Sequence, residues 1–138
     1  YDYGTLRAGQ LVGAFALFLA DEDGETRVWR TDGTSAGTTL LLRIPGEYAF
    51  LEEVEIVGGN GRAWFVGPDT GTGKVLWTSD GTTAGTVAVG NGGTAPMSLA
   101  FDAATNRCWF SATDATNGRE LWRSDGTTAP TVRVTQLR

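Results

Sequence analysis

The 138 residues suit one ordinary domain, and 20 glycines, 4 prolines and 20 threonines make a turn-rich, strand-favouring mixture that disfavours a helical bundle. With 16 acidic against 11 basic residues the net charge is -5, the wrong sign for a protein whose affinity comes from nucleic-acid phosphates. The absence of histidine and the single cysteine, Cys108, exclude His-based general bases, Cys/His nucleophilic pairs, intramolecular disulfides and the usual zinc ligand sets.

In chain order, the first predicted element is a weakly marked strand around Leu6 to Val12, followed by Ala16 to Ala20. The longest apolar run, Ala14 to Ala20, is far short of the roughly 18 residues of a membrane helix and ends at Asp21, Glu22 and Asp23, so no transmembrane segment is expected. The chain starts at Tyr1 with neither an initiator methionine nor a signal-like segment, as in a mature chain or an excised piece. After Ala20 a polar connector, DEDGE from Asp21, leads to a strand at Val28-Trp29, a TDGT segment and a Thr-rich strand over Thr38 to Ile44. The order then recurs. Leu51 to Val57 is a candidate strand, and Ala63 to Gly67 a second. The connector PDTGTG from Pro68 leads to Leu76-Trp77, SDGT and Thr86 to Val89. The third round reads Met97 to Phe101, Cys108 to Ala112, TDATNG from Thr113, Leu121-Trp122, SDGT and Thr131 to Val134. Gly-rich polar connectors of this kind suit hairpin loops.

The tryptophans Trp29, Trp77 and Trp122 are spaced by 48 and 45 residues, so the chain is three repeats and little else. Four strands per repeat of about 40 to 50 residues is the period of a β-propeller blade. The expectation is an all-β, propeller-type chain of three four-stranded antiparallel blades of about 46 residues, over residues 1–46, 47–93 and 94–138. In the second strand of each repeat, adjacent bulky residues (Leu17/Phe18, Trp64/Phe65, Trp109/Phe110) face opposite sides, so both faces need cover, as in stacked blades. The motif residues Trp29, Asp32, Gly33 and Thr34, Trp77, Asp80, Gly81 and Thr82, and Trp122, Asp125, Gly126 and Thr127 read as repeated structure. Each aspartate can accept a backbone N–H two residues on, each glycine can take positive φ, and each threonine hydroxyl can cap the next bend. Pro130 replaces the glycine found at Gly37 and Gly85, so positive φ is not required there.

These blocks, best seen in Gly118-Arg119-Glu120-Leu121-Trp122-Arg123-Ser124-Asp125-Gly126-Thr127, resemble the ELWxxDGTxxGT repeat of large secreted or surface-attached bacterial proteins. The resemblance covers nearly the whole chain and implies an extracellular or cell-surface location; no common activity comes with it. Val28 stands for the motif leucine and Arg27 and Val75 for its glutamate in the other copies, so Glu120 is not a shared functional residue.

Other chemistry is weighed against plain structure. The five tryptophans could stack on sugar rings, one site per blade, but Trp29, Trp77 and Trp122 beside apolar residues read first as core, as do Trp64 and Trp109. Asp21 to Glu25 has the carboxylates for calcium without EF-hand spacing, and the other copies supply only Asp69 and Asp114, so no metal is expected. Asp32, Asp80, Asp125 and Glu120 are the remaining carboxylates for a glycosidase, yet equivalent residues in successive repeats point to an equivalent structural task. Cys108 beside Trp109 reads as a packed thiol. Acidic Glu47, Glu52, Glu53 and Glu55, and the five arginines of residues 106–138, could face one another across an assembly contact, although a pair of solvated faces is the more usual explanation.

Three blades leave two apolar faces in water, because propellers typically close with four to eight. Cover can come from a second copy, making six blades, or from neighbouring repeats of a longer chain. The function expected is a non-catalytic adhesion or assembly platform without a cofactor; the alternatives are a multivalent lectin and, more remotely, a glycoside-active enzyme, with the ligand unknown.

Overall fold

The computed structural model describes residues 4–48, 52–69, 73–89, 93–126 and 131–134. Among them there is no helix, and therefore none long and apolar enough to cross a membrane. Twelve strands form three four-stranded antiparallel sheets, each a meander in chain order. The first sheet holds β1 (Thr5–Leu11), β2 (Ala16–Glu22), β3 (Glu25–Thr31) and β4 (Thr39–Pro45). The middle sheet holds β5 (Ile56–Gly59), β6 (Arg62–Pro68), β7 (Lys74–Ser79) and β8 (Val87–Ala88). The third holds β9 (Thr94–Asp102), β10 (Arg107–Asp114), β11 (Gly118–Ser124) and β12 (Val132–Arg133).

Two expectations are corrected. The hairpin expected at Asp21 to Glu25 is present but its loop is shorter: Asp21 and Glu22 finish β2, Glu25 starts β3, and only Asp23-Gly24 turn the chain, with φ of 54° and 77°. Positive φ at both central residues matches the twist of the strands they join, and Asn60-Gly61 between β5 and β6 repeats it at 54° and 86°. The strand expected over Leu51 to Val57 starts only at Ile56 and runs to Gly59. Within 52–55 the acidic residues have other partners: Glu55 accepts the backbone N–H groups of Ser98 and Leu99, each at 2.9 Å.

The sheets stack in chain order, β5 lying against β1 and β9, and β9 against β6 and β7. Strand alternation divides each sheet into a rear face, towards the preceding sheet, and a forward face, towards the next. The forward face of the first sheet brings Leu17, Leu19 and Val28 against Ala63, Phe65 and Trp77 on the rear of the middle sheet. The forward face of the middle sheet brings Trp64, Val66 and Leu76 against Cys108, Phe110, Ala112 and Trp122 on the rear of the third. Trp64 and Phe65, adjacent in β6, are both fully buried, one in each core layer. The expectation that a strand with two bulky neighbours is covered on both faces holds for the middle sheet.

Polar contacts fix how the sheets meet. The Gly61 N–H donates to the Val12 carbonyl at 2.6 Å and the Gln10 side chain to the Gly58 carbonyl at 3.3 Å, joining first to middle. Asn60 donates to the Ala103 carbonyl at 3.1 Å, and the Trp64 indole N–H to Ser124 Oγ at 3.2 Å, joining middle to third. The Trp64 indole is buried, and leaving its N–H without a partner would cost roughly 1–3 kcal/mol, so that bond in particular favours this stacking register.

Candidate functional site

In the first two repeats the turn is built as the sequence suggests. Asp32 Oδ1 accepts the Thr34 N–H at 2.9 Å and its hydroxyl at 2.7 Å; Asp80 Oδ1 accepts those of Thr82 at 2.9 and 2.6 Å. The Thr34 and Thr82 hydroxyls in turn accept the N–H groups of Gly37 and Gly85, both at 2.9 Å. Gly33, Gly81 and Gly126 have φ of 98°, 88° and 90°. Gly37 and Gly85 serve differently: a Cβ there would collide with the Asp32 or Asp80 carboxylate, so space and not φ asks for glycine. Pro130 has no N–H to give in the third turn; Thr127 and Pro130 lie outside the described residues.

Each described turn that faces a preceding sheet also receives an arginine from it. Arg30 of β3 donates to the Gly81 carbonyl at 2.8 Å and lies 4.2 Å from the centre of the Phe15 ring. Arg62 of β6 donates to the Gly126 carbonyl at 3.4 Å and to the Thr78 hydroxyl at 3.1 Å. These arginines occupy different positions in their repeats: Arg62 aligns with Phe15, and Arg30 with Thr78. Repeat-by-repeat reading missed them for that reason.

Among the described residues, no sheet lies over the rear face of the first sheet. Leu6 and Leu11 are 69% and 74% exposed. Leu6, Phe18, Trp29, Thr31 and Thr38 line a hollow of about 390 Å³, and a second of about 260 Å³ lies between Leu11, Phe15, Phe18 and Asp32. The core expectation for the motif tryptophans therefore divides. Trp122 is buried, its indole donating to the Ala112 carbonyl at 3.3 Å. Trp77 is half-buried, stacked on Phe65 at 6.1 Å between ring centres, its indole donating to the Pro68 carbonyl at 3.0 Å. Trp29, the corrected case, is half-buried at the open face because, among the described residues, nothing occupies the place that the first sheet takes over Trp77. Trp109 is half-buried on the forward face of the third sheet, whereas its counterpart Trp64 is enclosed.

The carboxylates are engaged within the chain. The Thr34 hydroxyl holds Asp32 below the ordinary carboxylate range and the Thr82 hydroxyl does the same for Asp80, whereas a glycosidase acid needs a raised value. Asp125 is exposed at the third turn and Glu120 is fully buried in β11. Arg27 gathers the hairpin carboxylates, pairing with Glu22, with Glu25 at 3.2 Å and with Asp23 at 3.6 Å. No cluster of three metal-ligating side chains occurs among the described residues. A groove of about 430 Å³ between Glu52, Glu53, Glu55, Lys74 and Met97 is acidic, but Glu52 pairs with Lys74 at 3.7 Å and Glu55 holds the two N–H groups of β9. Glu47 accepts the Gly24 N–H at 2.8 Å. Glu47, Glu52 and Glu55 thus meet partners other than the arginines of residues 106–138. Burial pushes the Cys108 thiol up to about 12, which keeps it protonated and unreactive.

What this surface offers is therefore an apolar sheet face edged by a hydroxyl, Thr31, and by the Asp32-Gly33 turn. Its chemistry is that of sheet packing. Neither the models of known protein families nor the curated proteins compared with the chain match it.

Proposed function

We propose that the chain is a non-catalytic, β-propeller-type repeat module of the ELWxxDGT kind, acting as an extracellular or cell-surface platform for adhesion or assembly. One observation carries the reading: two sheet-on-sheet seams are complete within the chain, and the rear face of the first sheet presents the same type of surface uncovered. Exposed apolar patches of this kind are characteristic of interaction sites. A self-made dimer of six blades is the simplest cover, and repeats of a longer chain would serve equally.

Light scattering on a sizing column across a dilution series tests it. A species at twice 14.6 kDa that dissociates on dilution is expected; a monomer at every concentration would remove self-assembly from the reading. The second reading, a carbohydrate-binding lectin, is favoured by the ring of Trp29 at the open hollow, with Trp109 half-buried on the other outer face, whereas Trp64 and Trp122 are buried and Trp77 is stacked. Glycan-array binding that disappears in Trp29→Ala while the fold is retained would favour it.

A further inference from the structure

We propose that the two outer faces of this chain are halves of one interface, and that a second copy docks its third-sheet forward face on the first-sheet rear face through two named contacts. This rests on the assembly reading above and deepens it by naming the surfaces and their register.

The contacts follow from what the two internal seams share. In the seam between middle and third sheets, Trp64 reaches forward, packs on Phe101 with ring centres 5.8 Å apart, and donates its indole N–H to Ser124 Oγ. Trp109 is the counterpart of Trp64, one repeat on and half-buried on the outer forward face. On the outer rear face, Leu11 is the counterpart of Phe101, since Leu11 pairs with Ala16 as Phe101 pairs with Cys108. Thr31 is the counterpart of Ser124, and the two hydroxyls already do the same local work. Thr31 Oγ1 accepts the Gly33 N–H at 3.0 Å as Ser124 Oγ accepts that of Gly126 at 3.1 Å. Trp109 therefore packs on Leu11 of the second copy, while its indole N–H is held by the Asp102 carboxylate of its own chain.

The second contact is the arginine on the turn glycine. Gly81 and Gly126 are each crowded by the arginine that donates to them, Arg30 Nη1 at 3.0 Å from a Cβ placed on Gly81 and Arg62 Cδ at 2.5 Å from one on Gly126. A Cβ on Gly33 meets nothing within 4 Å, although its turn and its φ are the same. The seat is formed and open. The third sheet carries arginine at both positions from which such a donor can come: Arg107 aligns with Arg62, and Arg123 with Arg30. Either would reach the Gly33 carbonyl of the second copy. Because the contact joins unlike faces, two copies meet twice around a two-fold axis, and six sheets lie within the usual range for closure.

Two surface variants, Leu11→Glu and Trp109→Ala, test the register by light scattering, with circular dichroism confirming their fold. Each variant alone is expected near 14.6 kDa, and their mixture at an intermediate mass, because a mixed pair retains one wild-type contact. The double variant Arg107→Ala/Arg123→Ala is expected to dissociate at about tenfold higher concentration or more than the wild type. A Trp109→Ala chain that stays at twice 14.6 kDa while Leu11→Glu falls apart would overturn the register and leave assembly standing, as for rear face on rear face. A wild-type chain that never associates would overturn both.

Discussion

The first and middle sheets carry the same repeat but live in different surroundings. In the middle sheet Trp64 and Phe65 are both fully buried; in the first, Leu17 is fully buried while its neighbour Phe18 lines an open hollow. The difference teaches that the environment of a repeat residue is set by what stacks on its sheet and not by its own motif. A tryptophan in the same turn-flanking position is enclosed at Trp122 and accessible at Trp29.

The largest break in that comparison should come from removing one tryptophan on each side of it. Trp64→Ala empties a sealed seam and removes one of the two N–H donors to Ser124 Oγ, and about 3–5 kcal/mol of lost stability is expected. Trp29→Ala, measured in urea on protein dilute enough to be monomeric, should cost about 1 kcal/mol or less, since little of that ring's burial comes from a facing sheet. Equal losses would mean that the open face is covered in solution even at high dilution.

Glycine replacement sharpens the comparison at intermediate size. Gly33→Ala and Gly81→Ala impose the same left-handed backbone on alanine, roughly 1–2 kcal/mol each. Only Gly81 also drives a Cβ into Phe15 and Arg30, so its variant should lose about 1–3 kcal/mol more by denaturant titration. Similar losses at both sites would place the cost in the turn and not in the seam.

The smallest effect is in acid. Asp32 and Asp80 are held below the ordinary carboxylate value of 3.8, first by the hydroxyls of Thr34 and Thr82. A depressed folded-state value contributes stability above pH 3.8 that is lost as pH falls through the folded value. Asp80→Asn should therefore flatten the acid limb of a thermal-melting profile below about pH 4 relative to the wild type, and a profile unchanged in shape would show that the turn is insensitive to this charge.

Much of this architecture could be read from the chain because its signals are local. The Asp-Gly-Thr turn folds on its own side chains, so Asp32 binding Thr34 was visible in three letters. The adjacent bulky pair at Trp64 and Phe65 announced a sheet covered on both sides. Strand β5 was misplaced because Val54 and Glu55 alternate like a strand, whereas the Glu55 carboxylate is taken by backbone N–H groups of another sheet. The Asp21 to Glu25 segment looked like a loop because its polarity outweighed the small number of residues a turn with positive φ needs. The open hollow beside Trp29 has no local signal at all, because it follows from what, among the described residues, does not lie over Phe18 and Leu6.

The arginines of the seams carry a lesson about information. Arg30 leaves one strand of the first sheet and Arg62 a different strand of the middle one, yet both guanidinium groups finish on the carbonyl of the same glycine in the next turn. Aligning the three repeats column by column scores arginine as variable at each place of departure. The constancy lies at the destination. A search for kindred repeats that demands arginine in one fixed column would discard true members, whereas one that accepts it in either column, and asks for a glycine carbonyl one repeat later, would keep them.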